Sequence, residues 1–318
     1  MKIIKPSFEV LRRDEYRGGL AIIEQAARTC YKTEDKATYA SDEGFVERLI
    51  QRGHLAMIEH GDYIFQMADY RMYANVKEGL GMMKEKLGCA PMLNMTNLGG
   101  RMIVSGNVRA WRELIQNCNA PGGTIAWFFA PFIDRVYIDG LIDFDTVSYP
   151  DSRIMQLSYA DLKGRVEKLA HLRQTVRFTV DRGVTHEFVR HRRMSFAQES
   201  TRYCNYTLGK FGSEITVIEP CYLEKHTEPY DLWKRQCMSA ETAYVHMLKM
   251  GLKAQQARAV LPTSTKAELI VTGTLGMWDH FFDLRARQIT GPAHPQAAEV
   301  AVPLMQEMMN RFPGIIEQ

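Results

Sequence analysis

The chain has 318 residues, 46% hydrophobic and 24% charged, an ordinary globular composition that excludes wholesale disorder. Lys+Arg is 40 against Asp+Glu 37, and a net charge of +3 is too small for a protein that grips nucleic acid by charge alone. The longest apolar run, Ile125 to Ile133, is interrupted by Pro131 and falls far short of the ~20 residues of a membrane helix, so no membrane association is expected.

The N-terminus, Met1 to Pro6, carries no signal-peptide apolar core, and a cytoplasmic location is expected. Apolar spacing predicts a helix over Ala21 to Tyr31. Ser41 is placed to cap a second helix, with Asp42 and Glu43 at its positive end, Phe45, Leu49 and Ile50 facing inward, and Gly53 as its stop. Tyr63 to Met67 reads as a strand. The stretch from 68 to about 172 is less patterned. It holds a Met-rich segment, a turn at Pro121 to Gly123 and an aromatic run at Trp127 to Phe129. Arg177 to Val180 reads as a strand, Asp181 to Gly183 as a turn, and a helix begins near Val184. The C-terminal third alternates: helices over Asp231–Lys249 and Leu252–Leu261, a strand over Glu268–Thr272, then helices over Leu275–Arg287 and Gln296–Asn310. Strands alternating with helices imply an α+β fold, a mixed or antiparallel sheet wrapped by helices. The six cysteines are scattered without a C-x-x-C, so neither a zinc site nor a disulfide framework is expected. The 18 methionines read as adaptable core filler.

One internal similarity stands out. Ile103 to Trp111 reads like Ile270 to Trp278: strand, small residue, Gly, N-cap residue, then a helix bearing Trp. Such a corner aims free backbone N–H groups beyond the strand, and it is equally a sound folding unit with no ligand.

The densest polar cluster is Arg190-His191-Arg192-Arg193-Met194-Ser195-Phe196-Ala197-Gln198-Glu199-Ser200-Thr201-Arg202-Tyr203. A run of basic residues is commonly a solvated face or a weak nucleic-acid patch. Here Phe188, Val189, Met194 and Phe196 flank it, and buried Arg and His require anionic or planar partners. His186 and His191 stand five apart, so they do not share a helical face as a zinc-protease pair would. Ser195 or Ser200 with His191 lacks the G-x-S-x-G elbow of a hydrolase. The remaining reading is a site for an anion and a flat heterocycle. Arg supplies a planar fork for phosphate, and Gln198 can meet the donor–acceptor edge of a pyrimidine.

At these residues the sequence resembles the flavin-dependent thymidylate synthases. Arg190-His191-Arg192, seven residues, then Ser200, continuing to Arg202-Tyr203, is that family's signature. Gly53-His54 with Glu59-His60 resembles its G-H-x-S-x-x-E-H, with Ala56 in place of the usual Ser or Thr. Ala257 to Pro262 resembles its A-R-x-x-L-P, His280 to Arg285 its H-F-x-x-L-R, and His294 with Gln296 the H-A-Q that follows. The resemblance covers roughly 20–67 and 175–312, and implies one domain over 1–318 with an insertion at about 68–172.

The resemblance implies the family's fold and its activity. Such enzymes convert dUMP to dTMP with methylenetetrahydrofolate as one-carbon donor and FAD reduced by NADPH, usually as homotetramers with shared sites. No covalent protein nucleophile and no metal are implied; Ser200 is a substrate contact. Carried over by position, the dUMP site is Glu187, Phe188, Val189, Arg190, Gln198, Glu199, Ser200, Thr201, Arg202 and Arg258. Arg182 lies near enough to help. Arg285 is the catalytic candidate: a fixed guanidinium beside the uracil stabilises negative charge developing on the ring. Read alone, Arg285 is simply a charge at a helix C-terminus. FAD falls to His54, Glu59, Arg190, His191, Arg192, Gln198 and His280. No G-x-G-x-x-G opens a helix after a strand, so a Rossmann dehydrogenase is not supported. One departure matters. The family's N-x-R before H-F-x-x-L-R is here Thr274-Leu275-Gly276, whereas the similar corner has Asn107-Val108-Arg109, and Asn107 and Arg109 are expected to supply the missing flavin contacts. The alternatives are an FAD-binding homologue without synthase activity and a nucleic-acid-binding protein using Arg190 to Arg193.

Overall fold

Val176, Phe178 and Val180 bury one face of a strand and Thr175 and Asp181 are buried beside them, so this segment is covered on both sides. It is β7 in a computed structural model that describes residues 1–11, 18–38, 40–87, 92–117, 126–143, 151–209 and 213–317. The strands are β1 (Lys2–Ile4), β2 (Ser7–Leu11), β3 (Asp62–Met67), β4 (Leu93–Leu98), β5 (Arg101–Asn107), β6 (Ile154–Gln156), β7 (Arg173–Asp181), β8 (Ser195–Gln198), β9 (Thr216–Ile218) and β10 (Lys266–Thr274). The helices are α1 (Leu20–Tyr31), α2 (Asp42–Gln51), α3 (Tyr70–Leu87), α4 (Val108–Gln116), α5 (Ala126–Phe129), α6 (Arg135–Ile138), α7 (Gly164–His171), α8 (Arg182–Phe188), α9 (Glu228–Lys249), α10 (Ala254–Ala257), α11 (Leu275–Arg285) and α12 (Pro295–Arg311).

Among the described residues two four-stranded antiparallel sheets form, in the orders β2-β7-β10-β8 and β6-β3-β5-β4, with β1 and β9 as a separate parallel pair. The fold is α+β, antiparallel sheets wrapped by helices. The stretch read from sequence as an insertion at 68–172 supplies β4, β5 and β6, three of the four strands of the second sheet. The turn expected at Pro121 to Gly123, and Cys89 and Cys118, lie outside the described residues. Cys30, Cys204, Cys221 and Cys237 are not joined in disulfides.

The two sheets repeat one topology. β3-α3-β4-β5-α4 in the first half corresponds to β7-α8-β8-β10-α11 in the second, and each half's first strand crosses over: β2 pairs with β7, while β6 pairs with β3. Equivalent hydrogen bonds recur. Val108 N donates to Gly61 O at 3.0 Å, as Leu275 N does to Leu172 O at 2.8 Å. Trp111 Nε1 donates to Tyr63 O at 3.3 Å, as Trp278 Nε1 does to Gln174 O at 3.0 Å. Between the halves His60 Nδ1 meets Thr272 Oγ1 at 2.7 Å, and His171 Nδ1 meets Ser105 Oγ at 2.7 Å. Both imidazoles are fully buried, so these hydroxyls satisfy ring nitrogens that water cannot reach. The main difference between halves is a connection. Gly99 and Gly100, both at positive φ, turn β4 directly into β5, whereas β9, α9 and α10 intervene between β8 and β10.

Several boundaries differ from the sequence reading. β7 begins at Arg173, because the polar Arg173, Gln174 and Thr175 are buried in the sheet and break the apolar pattern. Asp181 is a cap rather than a turn residue: its Oδ1 accepts from Val184 N at 2.8 Å, and α8 starts at Arg182. The helix expected over 252–261 is only α10 followed by a 3-10 turn at Arg258–Val260. Ser41 occupies the N-cap position of α2, but its hydroxyl bonds Glu24 and Thr38 O instead of the helix. Gly53 does terminate that region, at φ +72.

Candidate active site

The N-terminal end of α11, the loop after α8 and the end of α7 enclose a cavity of about 730 Å³. Arg190, His191, Arg192 and Arg193 line one side, and His280 and Arg285 another. The motif residues from 190–193 and 280–285 therefore converge although about ninety positions separate them. Arg190, Arg192 and Arg193 are exposed and make no ion pair among the described residues. Arg285 is held: Nη1 donates to Glu187 Oε2 at 2.7 Å and Nη2 to Glu187 O at 3.2 Å. Its buried Nε has no partner among the described residues. Two-point anchoring fixes the plane of the guanidinium, which a free charge at a helix end would not have.

His191 is 8% exposed, and its Nδ1 stands 2.9 Å from Phe188 O. A carbonyl only accepts, so Nδ1 carries the proton and Nε2 is left as a buried acceptor with no partner among the described residues. Burial lowers the His191 pKa, the Phe188 carbonyl opposes this, and Arg285 and His280 lower it further. The ring is thus neutral near pH 7, and it packs on Phe281 at 4.9 Å. Charged guanidiniums, a neutral imidazole acceptor and apolar walls from Val166, Leu169 and Met277 suit a flat, anionic heterocycle.

Other expected contacts line different clefts. Arg258, Thr201, Arg182 and His186 border a cavity of about 310 Å³, where Arg258 Nη1 donates to Thr201 Oγ1 at 3.3 Å. His54 lies in a third cleft of about 700 Å³ with Tyr31, Arg48, Arg52 and Tyr203. Tyr31 Oη bonds His54 Nδ1 at 2.8 Å. The Ser200–Tyr203 loop borders both of these clefts. Ser200 N donates to Cys30 O at 3.1 Å, and Arg202 Nε donates to Gln255 at 3.2 Å. Gln198 Nε2 donates to Thr185 Oγ1 at 3.0 Å. Val189 is exposed.

Two expected contacts turn their side chains inward. Phe188 is core, 5.0 Å from Phe178 and 4.9 Å from Phe281. Glu199 is fully buried, accepting from Lys266 Nζ at 2.7 Å and Tyr206 Oη at 3.1 Å. Lys32 and Glu268 complete this network. Burial pushes the Glu268 carboxyl up, but Lys266 and Lys32 outweigh it and hold it down to about 2. Neither residue offers an accessible group: the Glu199 N–H donates to Glu268 O at 2.8 Å, and the Phe188 carbonyl is taken by His191.

Glu59, Asn107 and Arg109 form a separate cluster. Arg109 pairs with Glu59 and with Glu113, each at 2.8 Å, and Asn107 Oδ1 caps α4 by accepting from Ala110 N at 2.8 Å. None of the three lines the cavity around Arg190 to Arg193. The corner that does line it is Thr274 and Gly276. Sequence reasoning missed Asn94 and Ala170, which also line it; neither lies in a recognisable motif. Among the described residues no group of three His, Cys, Asp or Glu is arranged to hold a metal ion.

Residues 162–314 match the family model described as thymidylate synthase complementing protein, Thy1. The family resemblance holds there. The flavin-dependent thymidylate synthase of Pyrococcus abyssi is 33% identical over 127 residues, 40% of this chain and 50% of that one. That of Corynebacterium glutamicum is 28% identical over 168 residues, 48% of this chain and 64% of that one. The chain thus spans about half to two-thirds of the length of these curated relatives. Among solved structures, the UMP/dUMP methylase PolB from Streptomyces cacaoi covers 98% of this chain and 93% of its own, with a TM-score of 0.41 and 14% identity. The Thy1 segment contains Arg190 to Arg193, Arg258, His280 and Arg285. His54, Glu59, Asn107 and Arg109 lie outside it.

Proposed function

We propose that the protein is a flavin-dependent thymidylate synthase, a methyltransferase that makes dTMP from dUMP with methylenetetrahydrofolate, FAD and NADPH. The observation that carries this reading is the pocket of the Thy1 segment, where Arg190, His191, Arg192, His280 and the Glu187-anchored Arg285 meet. The residues fit a flavin. The orphaned His191 Nε2 is an acceptor for a ring N–H, and the exposed Arg190 and Arg192 guanidiniums suit a pyrophosphate.

Arg190, His191, Arg192, Gln198 and His280 would hold FAD, which when bound supplies the hydride and carries the one-carbon unit. Arg285 is the catalytic residue of the proposal. With Glu187 fixing its plane, it meets negative charge that develops on the uracil, and so raises the nucleophilicity of C5. Arg258 with Arg182 binds the phosphate, and the Ser200–Arg202 loop positions the nucleotide through hydroxyl and backbone groups. The aromatic and cationic cleft of His54, Tyr31, Arg48 and Arg52 is where an anionic co-substrate such as the folate would dock. Within one chain Glu59, Asn107 and Arg109 stand apart from the pocket. Their flavin role therefore belongs to a pocket shared with another copy, in a cytoplasmic homotetramer.

The test is tritium release from C5-labelled dUMP by purified protein. Release that requires FAD, NADPH and methylenetetrahydrofolate together is the expected result. Yellow protein without release would mean a flavin-binding homologue lacking the synthase reaction. A colourless preparation with salt-sensitive nucleic-acid affinity would mean the Arg190–Arg193 run serves a nucleic acid.

A further inference from the structure

The two repeats differ where the pocket opens. Sheet register equates Asn107 with Thr274, because Asp62 faces Asn107 and Arg173 faces Thr274. It follows that Arg109 corresponds to Gly276, Glu59 to Ala170, and Ser195 to Asn94. In the first repeat Arg109 and Glu59 meet at 2.8 Å in front of the α4 N-terminus. In the second repeat those two positions carry no side chain beyond a methyl group, and the vacated ground is part of the 730 Å³ cavity. The pocket exists because one copy of the corner has been trimmed.

Asn94 also lines that cavity, and it comes from β4 of the first repeat. Its Nδ2 donates to Ala170 O at 2.9 Å, so the carboxamide is pinned by the trimmed corner itself. Its Oδ1 has no partner among the described residues. The equivalent Ser195 is 2% exposed, donates to Glu59 O at 3.2 Å and accepts from Arg173 Nη2 at 3.3 Å. The serine hydroxyl is used both ways, donating to Glu59 O of the first repeat and accepting from Arg173 of its own, whereas the longer asparagine keeps an acceptor for something else.

We infer that the pocket is a site between the two repeats, and that Asn94 is the first repeat's contact to the flavin, its Oδ1 accepting from an N–H on the edge of the ring. This rests on the reading of the pocket as a flavin site. An amide held by one hydrogen bond and offering another is pre-organised, and an N–H placed opposite it gains a directional contact in an otherwise apolar wall.

FAD titration of the full-length protein, followed by flavin absorbance, tests the assignment. Asn94→Ala, and Asn94→Ser, which installs the residue of the other repeat, should each weaken binding about tenfold with a shift in the visible flavin spectrum. Ala170→Glu, which restores the other repeat's carboxylate, should abolish retention while far-UV circular dichroism stays that of the wild type. If one Asn94 variant does not fold, the other and Ala170→Glu still decide. Wild-type uptake with unaltered affinity and spectrum in the variants overturns the Asn94 assignment alone. Wild-type protein that takes up no flavin overturns it together with the flavin reading.

Discussion

Arg285 shows what a single residue gains from its surroundings. By sequence it is a cation at a helix end, yet the structure fixes it with both a carboxylate and a carbonyl of Glu187. Lys carries one point charge and cannot make that double contact while facing a ligand. Arg285→Lys should therefore lower the rate of tritium release on the order of 100-fold while the melting temperature stays near that of the wild type. An unchanged rate would remove Arg285 from the mechanism. His171 permits a second prediction. Burial lowers its pKa from 6.5 to about 4, so the unfolded chain binds a proton there before the folded chain does. Its contribution, on the order of 3 kcal/mol, is fully present above pH 6.5 and lost as the pH falls through about 4. Glu268 acts in the same direction at lower pH. Urea midpoints should fall between pH 7 and pH 4.5, and His171→Gln, which has no such titration, should flatten the profile. Equal slopes in both proteins would contradict the assignment.

The repeated strand–helix corner is the element that organises the molecule. Thr274 and Asn107 cap α11 and α4, Trp278 and Trp111 lock each helix to the neighbouring strand, and both indoles are fully buried. Thr274→Ala removes the bond from Met277 N and should cost about 1 kcal/mol, and Trp278→Ala about 3–5 kcal/mol, both read from urea unfolding. A Trp278→Ala cost below that of the cap would contradict the packing seen here. The corner was legible because Ile103 to Trp111 and Ile270 to Trp278 share a spacing of apolar, small and capping residues. The exchange of β2 and β6 between sheets was not. Both are short edge strands of 5 and 3 residues, and nothing local states which partner they find. The start of β7 was hidden for another reason: Arg173, Gln174 and Thr175 are polar yet buried, and each bonds a group remote in sequence. The burial of His191 within the Arg190–Arg193 run could be anticipated from the flanking apolar residues, whereas the three arginines are exposed. The inward turn of Glu199 could not, since its partners Lys32 and Lys266 lie far along the chain.

Across the described residues, the chain carries two copies of a unit, and an open pocket lined by Arg190 to Arg193 lies beside the second. The cation run of the second copy has no equivalent beside β4, and the first copy's corner is filled by Arg109 and Glu59. Saturated protein should therefore hold one flavin per chain, measured as flavin absorbance against protein by amino-acid analysis. Two per chain would mean that the filled corner also opens. No described helix is long and apolar enough to cross a membrane. On the proposed reading a pyrimidine nucleotide held at Arg258 reaches the flavin beside Arg285. The most direct measurement is titration of dUMP into flavin-loaded protein while the visible flavin spectrum is recorded. A saturable change that Arg258→Ala shifts to much higher dUMP concentration is the predicted result. Bound flavin whose spectrum ignores dUMP at every concentration would contradict it.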